Sequence, residues 1–303
     1  MGQEQVSFTS DGRVLKGTLR VPDAAGPSPC VVLCHGFGSY DDDLGGFTRL
    51  ADFLAKARLA TFRFSFTGSY PYADRGTICP ASQWVNDALC ALARVRQHPE
   101  IDAARLGLLG VSVGGGVVVQ AAALTRSVRA VVALAPVVDG EDWLRHRWRS
   151  TRGDAAWERF AGEVEADHAE RVMGRAGRLV PHFDVQSAPD REGWDALLRQ
   201  FPQLLADMSL ASVWDTFHFK PLLYARGVTL PLCVVYGDAD ESVPLEHSRS
   251  VHQEARGPKA LHALRGAPHC PWDTPHESQF QQIALEWFQT WLEQSPAFER
   301  KSK

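Results

Sequence analysis

Three residue types that together make a nucleophile, a base and an orienting acid fall where short apolar runs end in this sequence. The first is Ser112. It follows the run Leu106-Gly107-Leu108-Leu109, sits at the centre of Gly110-Val111-Ser112-Val113-Gly114, and precedes a helical stretch over 115–124. An apolar strand, a Gly-x-Ser-x-Gly corner and a helix together describe a nucleophile elbow, which holds a hydroxyl at a strained, exposed apex. Gly110 and Gly114 are required there because a Cβ at either would strike neighbouring backbone. A serine hydroxyl attacks well only when a nearby base takes its proton. Candidates for that base and its carboxylate lie downstream, in the order serine, acid, histidine. Asp238, Asp240 and Glu241 follow an apolar run ending at Tyr236, and His269 follows the next one, in Gly266-Ala267-Pro268-His269-Cys270.

These groups need a scaffold that brings strand ends together. Short apolar runs at 30–34, 60–64, 106–109, 130–134, 230–236 and 259–264 are separated by helical patterns at about 44–56, 81–97 and 115–124. Continuous apolar strands alternating with helices specify a parallel sheet covered on both faces, an α/β doubly wound architecture. Before it, 6–9 and 14–21 alternate across Asp11-Gly12 and read as an antiparallel hairpin. A helix over about 277–292 closes the pattern. The core domain therefore takes residues 1–137 and 227–303. Residues 138–226 carry no strong strand and five of the nine tryptophans, and read as a helical lid inserted between strands. Such an insertion at the C-terminal edge of a parallel sheet falls where ligands bind. The tail from Ser295 to Lys303 reads as frayed.

Here the chain resembles the α/β-hydrolase superfamily, over about residues 25–294. Its usual acid motif, Gly-x-x-Asp-x-x-Val-Pro, is matched by Gly237, Asp240, Val243 and Pro244, and that register selects Asp240. The resemblance implies an α/β-hydrolase fold and a Ser112, Asp240, His269 triad, with His269 as the base in the loop after the last strand. It also implies an oxyanion hole. His35-Gly36-Phe37-Gly38, straight after a strand, is similar to the His-Gly-x loops of these enzymes, making the Phe37 N–H one donor and the Val113 N–H the other. A finer similarity is to acyl-ester hydrolases of the feruloyl and cinnamoyl esterase type and the peptidase-like branch. It rests on His35-Gly36-Phe37 and on Phe62-Arg63-Phe64-Ser65-Phe66-Thr67-Gly68-Ser69, where Ser65 stands in place of the usual aspartate. The activity implied is that of a serine esterase or thioesterase acting through an acyl-enzyme on a small-molecule ester or thioester. With a non-water acceptor the same intermediate would make an acyltransferase or cyclase; a ligand-binding module on this fold is a third reading.

Other residues carry blander expectations. His35 pins the oxyanion loop, His247, His252 and His276 are solvated, and His262 packs within its strand. Asp41-Asp42-Asp43 caps a helix, where carboxylates favour the N-terminal dipole. The lid tryptophans form the core of that subdomain, with Trp143 and Trp214 as substrate contacts. The chain has 303 residues, 45% hydrophobic and 22% charged, with net charge −4. That mild acidity argues against nucleic acid. No apolar run approaches ~18 residues, so no membrane span is expected. No secretory signal is visible at the N-terminus, which makes the cytoplasm the expected location. Six cysteines without paired spacing read as reduced thiols. No residues are spaced for a metal, no cofactor is expected, and the pattern leaves a homodimer open.

Overall fold

A computed structural model describes residues 2–73 and 78–293. The expectation for the tail from Ser295 lies outside them. The chain opens with strands β1 (Gly2–Ser10) and β2 (Arg13–Val21), joined by Asp11 and Gly12, both at positive φ (42° and 77°). Two positive φ values suit a tight hairpin turn, whose twist matches its strands. Then follow β3 (Ser28–Cys34), helix α1 (Gly46–Lys56), β4 (Ala60–Phe64), α2 (Ala81–Val95), β5 (Ile101–Val111), α3 (Val113–Leu124) and β6 (Ala130–Leu134). Strand order in the eight-stranded sheet places β4 beside β2, β3 beside β4, β5 beside β3 and β6 beside β5. Pairing is antiparallel only at β1–β2 and β2–β4; from β4 onward it is parallel.

Between β6 and the next sheet strand lie α4 (Gly140–Arg152), α5 (Asp154–Val172), β7 (Leu179–Pro181), α6 (His182–Val185), α7 (Arg191–Gln200), β8 (Asp207–Ser209), α8 (Leu210–His218) and a 3₁₀ turn at Pro221–Gly227. The strands β7 and β8 pair antiparallel as a small separate ribbon. Sheet alternation then resumes with β9 (Leu232–Gly237), α9 (Leu245–Glu254), β10 (Lys259–Leu264) and α10 (Glu277–Leu292). Parallel pairs β6–β9 and β9–β10 complete the sheet. This is the α/β-hydrolase fold.

The sheet is buried on both faces. Val32, Leu108, Val131 and Val234 meet the side occupied by α2 and α3, while Val31, Leu109, Val132 and Val235 meet α1 and α10. Alternate residues of each strand thus feed two cores, as the two-residue side-chain period requires. At the centre, α3 is buried on all sides, which explains its Val- and Ala-rich, faceless sequence. Two histidines differ from expectation. His262 is exposed, because β10 is the last strand of the sheet and only one neighbour covers it. His247 is 4% exposed: its Nδ1 accepts from the Val138 N–H at 3.1 Å, and its Nε2 lies 3.2 Å from Asp142 Oδ2. The six cysteines are unpaired thiols. Among the described residues no helix is long and apolar enough to cross a membrane.

Candidate active site

Ser112 stands alone between β5 and α3 at φ 57°, ψ −121°. A non-glycine residue at positive φ is strained by roughly 1–3 kcal/mol and persists only where its surroundings enforce it. Here the backbone does so. The Ser112 N–H donates to the Leu134 carbonyl at 2.9 Å, and its own carbonyl accepts from Val137 and Gly116. The strand-to-helix turn is too tight for side chains: a Cβ on Gly110 would lie 2.1 Å from the Gly114 oxygen. One on Gly114 would lie 2.3 Å from the carbonyl oxygens of both Cys34 and His35.

Two neighbouring strand ends supply the imidazole and carboxylate. In the turn after β9, Asp240 Oδ1 accepts the Ser242 and Val243 N–H groups at 2.7 and 3.0 Å. Its Oδ2 lies 2.7 Å from His269 Nδ1, which follows β10. Burial opposes the charge on Asp240, yet the imidazole and the two amides hold its carboxyl below the usual range. Nδ1 is thus turned to the carboxylate, which orients the His269 ring. Asp238, the rejected neighbour, instead takes the Gly266 N–H.

The loop after β3 lies against the elbow. His35 is fully buried, its Nδ1–H donating to the Gly36 carbonyl at 2.8 Å and its Nε2 accepting from the Phe66 N–H at 3.1 Å. Burial lowers its pKa to about 4, so the ring is a neutral strut. A Cβ on Gly36 would meet the Ser112 Cβ at 3.5 Å, an ordinary contact distance, so this turn packs beside the elbow. The acidic run splits three ways. Asp41 pairs with Arg63 at 3.0 Å, and Asp42 accepts the Thr48 N–H at 2.7 Å in the first turn of α1. Asp43 is buried, taking the Gly36 N–H on one oxygen at 3.2 Å and the Trp272 indole N–H on the other at 2.9 Å. The cap expectation therefore holds for Asp42 alone.

The segment after β6 reaches this loop through residues that sequence reasoning passed over. His182 is buried against the Gly38 backbone and edge-on to Phe37 at 5.7 Å between ring centres. Its Nδ1–H donates to the Leu205 carbonyl, and Leu205 in turn donates its N–H to the Gly38 carbonyl. Burial lowers the His182 pKa to about 4. Arg147, on α4, donates to the Gln186 carbonyl at 2.5 Å and to the Ser242 hydroxyl, beside the Asp240 turn. Trp143 is buried and packs edge-on to Phe37 at 5.6 Å. Trp214 is half-buried, its ring stacked on His168 at 3.9 Å and tilted against His218 at 4.5 Å, inside the insertion. No group of three metal-ligating side chains occurs among the described residues.

A family model described as "Alpha/beta hydrolase family" matches residues 31–278. The chain belongs to the alpha/beta hydrolase family. An uncharacterized 31.7 kDa Escherichia coli protein from the traX-finO intergenic region is 25% identical over 283 residues, covering 91% of this chain and 95% of that protein. The polyketide transferase grgF of Penicillium sp is 22% identical over 280 residues, covering 89% and 90%. The crystal structure of the alpha/beta hydrolase GrgF from Penicillium sp. sh18 superposes with TM-score 0.79 at 21% identity, over 97% of this chain and all of that one. Est1E from Butyrivibrio proteoclasticus, with ferulic acid bound, superposes with TM-score 0.66 at 19% identity, over 95% and 100%. Within the family, the chain has esterases and a polyketide transferase among its similar proteins.

Proposed function

We propose that this alpha/beta hydrolase is a serine acyl hydrolase, cleaving a carboxylic ester or thioester through an acyl-enzyme. The observations that carry this reading are a strained serine after β5 and a 2.7 Å His269–Asp240 hydrogen bond joining the ends of β9 and β10 in the same sheet. In the first half-reaction His269 takes the Ser112 proton as the oxygen attacks the acyl carbon. The same proton then goes to the departing alcohol or thiol. In the second, His269 takes a proton from water, which releases the acid and restores Ser112. Asp240 steadies the imidazolium in both. The developing oxyanion would rest on the Phe37 and Val113 amides. Val113 is the first residue of α3, where a helix leaves its N–H groups without intrahelical partners. Phe37 and Trp143 pack edge-on against each other behind that hole, and the insertion would act as its lid.

The test is covalent labelling by a fluorophosphonate. Stoichiometric labelling that disappears in Ser112→Ala is the expected result; a folded wild-type protein left unlabelled would falsify the proposal. A second reading keeps the acyl-enzyme and changes the acceptor, making the protein an acyltransferase or cyclase. The similarity to a polyketide transferase over nine-tenths of both chains favours keeping it. Mass spectrometry of products separates the two, since a free acid means hydrolysis and a transferred or cyclised acyl group means transfer.

A further inference from the structure

Asp43 is a buried carboxylate that the triad chemistry does not use. It sits in the loop before α1, 3% exposed and at φ 43°, a conformation disfavoured for a residue with a Cβ. Arg63 is spent on its neighbours, at 3.0 Å from Asp41 and 3.7 Å from Asp42, so Asp43 has no cationic partner among the described residues. Burying a carboxylate away from cations is unfavourable unless strong donors replace water. Two of its donors come from opposite sides of the site. Gly36 N–H belongs to the turn that carries the Phe37 amide, and the Trp272 indole belongs to the loop that carries His269, three residues earlier. Asp43 Oδ1 and the Ser112 Cβ also lie 3.7 and 3.5 Å from one point, the position a Cβ on Gly36 would occupy. A helix-capping role is already taken by Asp42.

We propose that Asp43 is a positioning residue: its carboxylate ties the oxyanion turn to the histidine loop and supplies a second negative charge for the imidazolium formed during acylation. This rests on the acyl-enzyme reading above. Asp240 orients the imidazole through Nδ1, whereas Asp43 acts through space and through the backbone at Gly36. Burial lifts the Asp43 carboxyl above its ordinary range, against the opposing pull of the indole, the Gly36 amide, the Ser39 side chain and His269. Also at this corner are Asp41, whose carboxyl burial raises, and Asp42, both beside Arg63, together with Cys270, Tyr40 and Arg147. Burial, then Asp43 and Asp240, keep the Cys270 thiol protonated, and burial, then the three aspartates, raise the Tyr40 phenol to about 12. Arg147 is a permanent cation acting on Asp240. None of these last three changes charge in the weakly acidic range where the experiment reads.

The experiment measures the second-order rate of fluorophosphonate labelling from pH 5 to pH 9, for wild type, Asp43→Asn and Trp272→Phe. Asparagine removes the charge and keeps the shape. It should slow labelling about tenfold at pH 7.5 and move the acid limb to lower pH by about half a unit, because a protonated imidazole loses a nearby anion. Phenylalanine keeps the charge and the ring but deletes one donor. The carboxylate then takes up a proton sooner as pH falls, and a neutral Asp43 leaves the imidazolium without that anion, as asparagine does. The acid limb should therefore move the same way, to lower pH, by a smaller amount. Asp43→Asn labelling at the wild-type rate, or slowed equally at every pH with an unmoved limb, overturns the proposal. Should Asp43→Asn fail to fold, Trp272→Phe decides alone, and an unshifted limb overturns it. Wild type left unlabelled rejects the acyl-enzyme reading itself, and with it this inference; a labelled wild type with unaffected variants rejects this inference only.

Discussion

Around Ser112 the nearest neighbours of the glycines are backbone atoms, with Gly110, Gly114, Gly115 and Gly116 each leaving 2.0–2.9 Å for a Cβ. In the insertion, Gly153, Gly162 and Gly174 have nothing within 4 Å of that position. The two regions also differ in what joins them. At the corner, main-chain bonds from Leu134, Val137 and Gly116 hold one residue. The insertion relies on aromatic stacking, as in Trp148 on Phe160 at 4.3 Å, and on exposed ion pairs such as Arg178–Glu163 at 3.1 Å. Exposed pairs of this kind contribute little, about 0–1 kcal/mol each. A region fixed by backbone contact admits no added atom and therefore holds the Ser112 backbone in one conformation. A region fixed by side chains and screened charges accepts substitution and, on the proposed acyl-enzyme reading, is where selectivity would vary.

The sharpest way to break this contrast is Gly114→Ala. One methyl group would meet two carbonyl oxygens at 2.3 Å, and neither Cys34 nor His35 can retreat without opening the β3 end of the sheet. The expected loss is more than about 4 kcal/mol, in the range reserved for core clashes. Urea unfolding should show a collapsed midpoint or no cooperative transition at all. A variant of near wild-type stability would mean the elbow is far looser than its geometry.

The elbow was legible because its requirements are local: a strand, two glycines spaced around a serine, and a helix all lie within nineteen successive positions, 106–124. The turn residues around Asp240 were equally local. Asp43 was not. In a run of three aspartates each looks like a helix cap, and only the Trp272 indole, 229 positions away, sets the third apart. His182 was missed for the same reason, since nothing near it in the chain points to Gly38. The exchanged fates of His247 and His262 came from treating helix and strand as guides to burial. A histidine on the last strand of the pattern should have been read as an edge residue. One near the start of α9, facing the α4 terminus, had a partner that no local signal revealed.

His182 joins the two regions, and pH separates them. Its pKa of about 4 lies below the ordinary 6.5 because burial disfavours the imidazolium. The unfolded chain therefore binds a proton there that the folded chain refuses, between pH 6.5 and about pH 4. Stability must fall as pH drops through that window, by about 2 kcal/mol at pH 5 for one such group. His182→Phe removes that dependence. At pH 7.5 the variant should be less stable by about 1 kcal/mol, from the lost bond to Leu205. At pH 5 the difference should shrink to nothing or reverse. His35, also at about 4, titrates in both proteins and leaves the comparison intact. A stability gap that stays constant between the two pH values would show that His182 is not the neutral strut joining insertion to loop.

The mildest change tests the permissive side. Gly162 lies on the exposed face of α5, near its middle, with open space where a Cβ would go and no positive φ to protect. Glycine inside a helix costs roughly 0.5–1 kcal/mol relative to alanine, through the freedom it retains when unfolded. Gly162→Ala should therefore raise the unfolding midpoint by that small amount while leaving the labelling rate of Ser112 untouched. The same one-methyl substitution thus has opposite signs at the two positions, because backbone fills the space at Gly114 and nothing fills it at Gly162. If Gly162→Ala also altered labelling, motion within α5 would have to reach the catalytic corner. The route for that would be the contacts of α4 with the Asp240 turn and of His182 with Gly38, so the insertion would be part of the machinery rather than a cover over it.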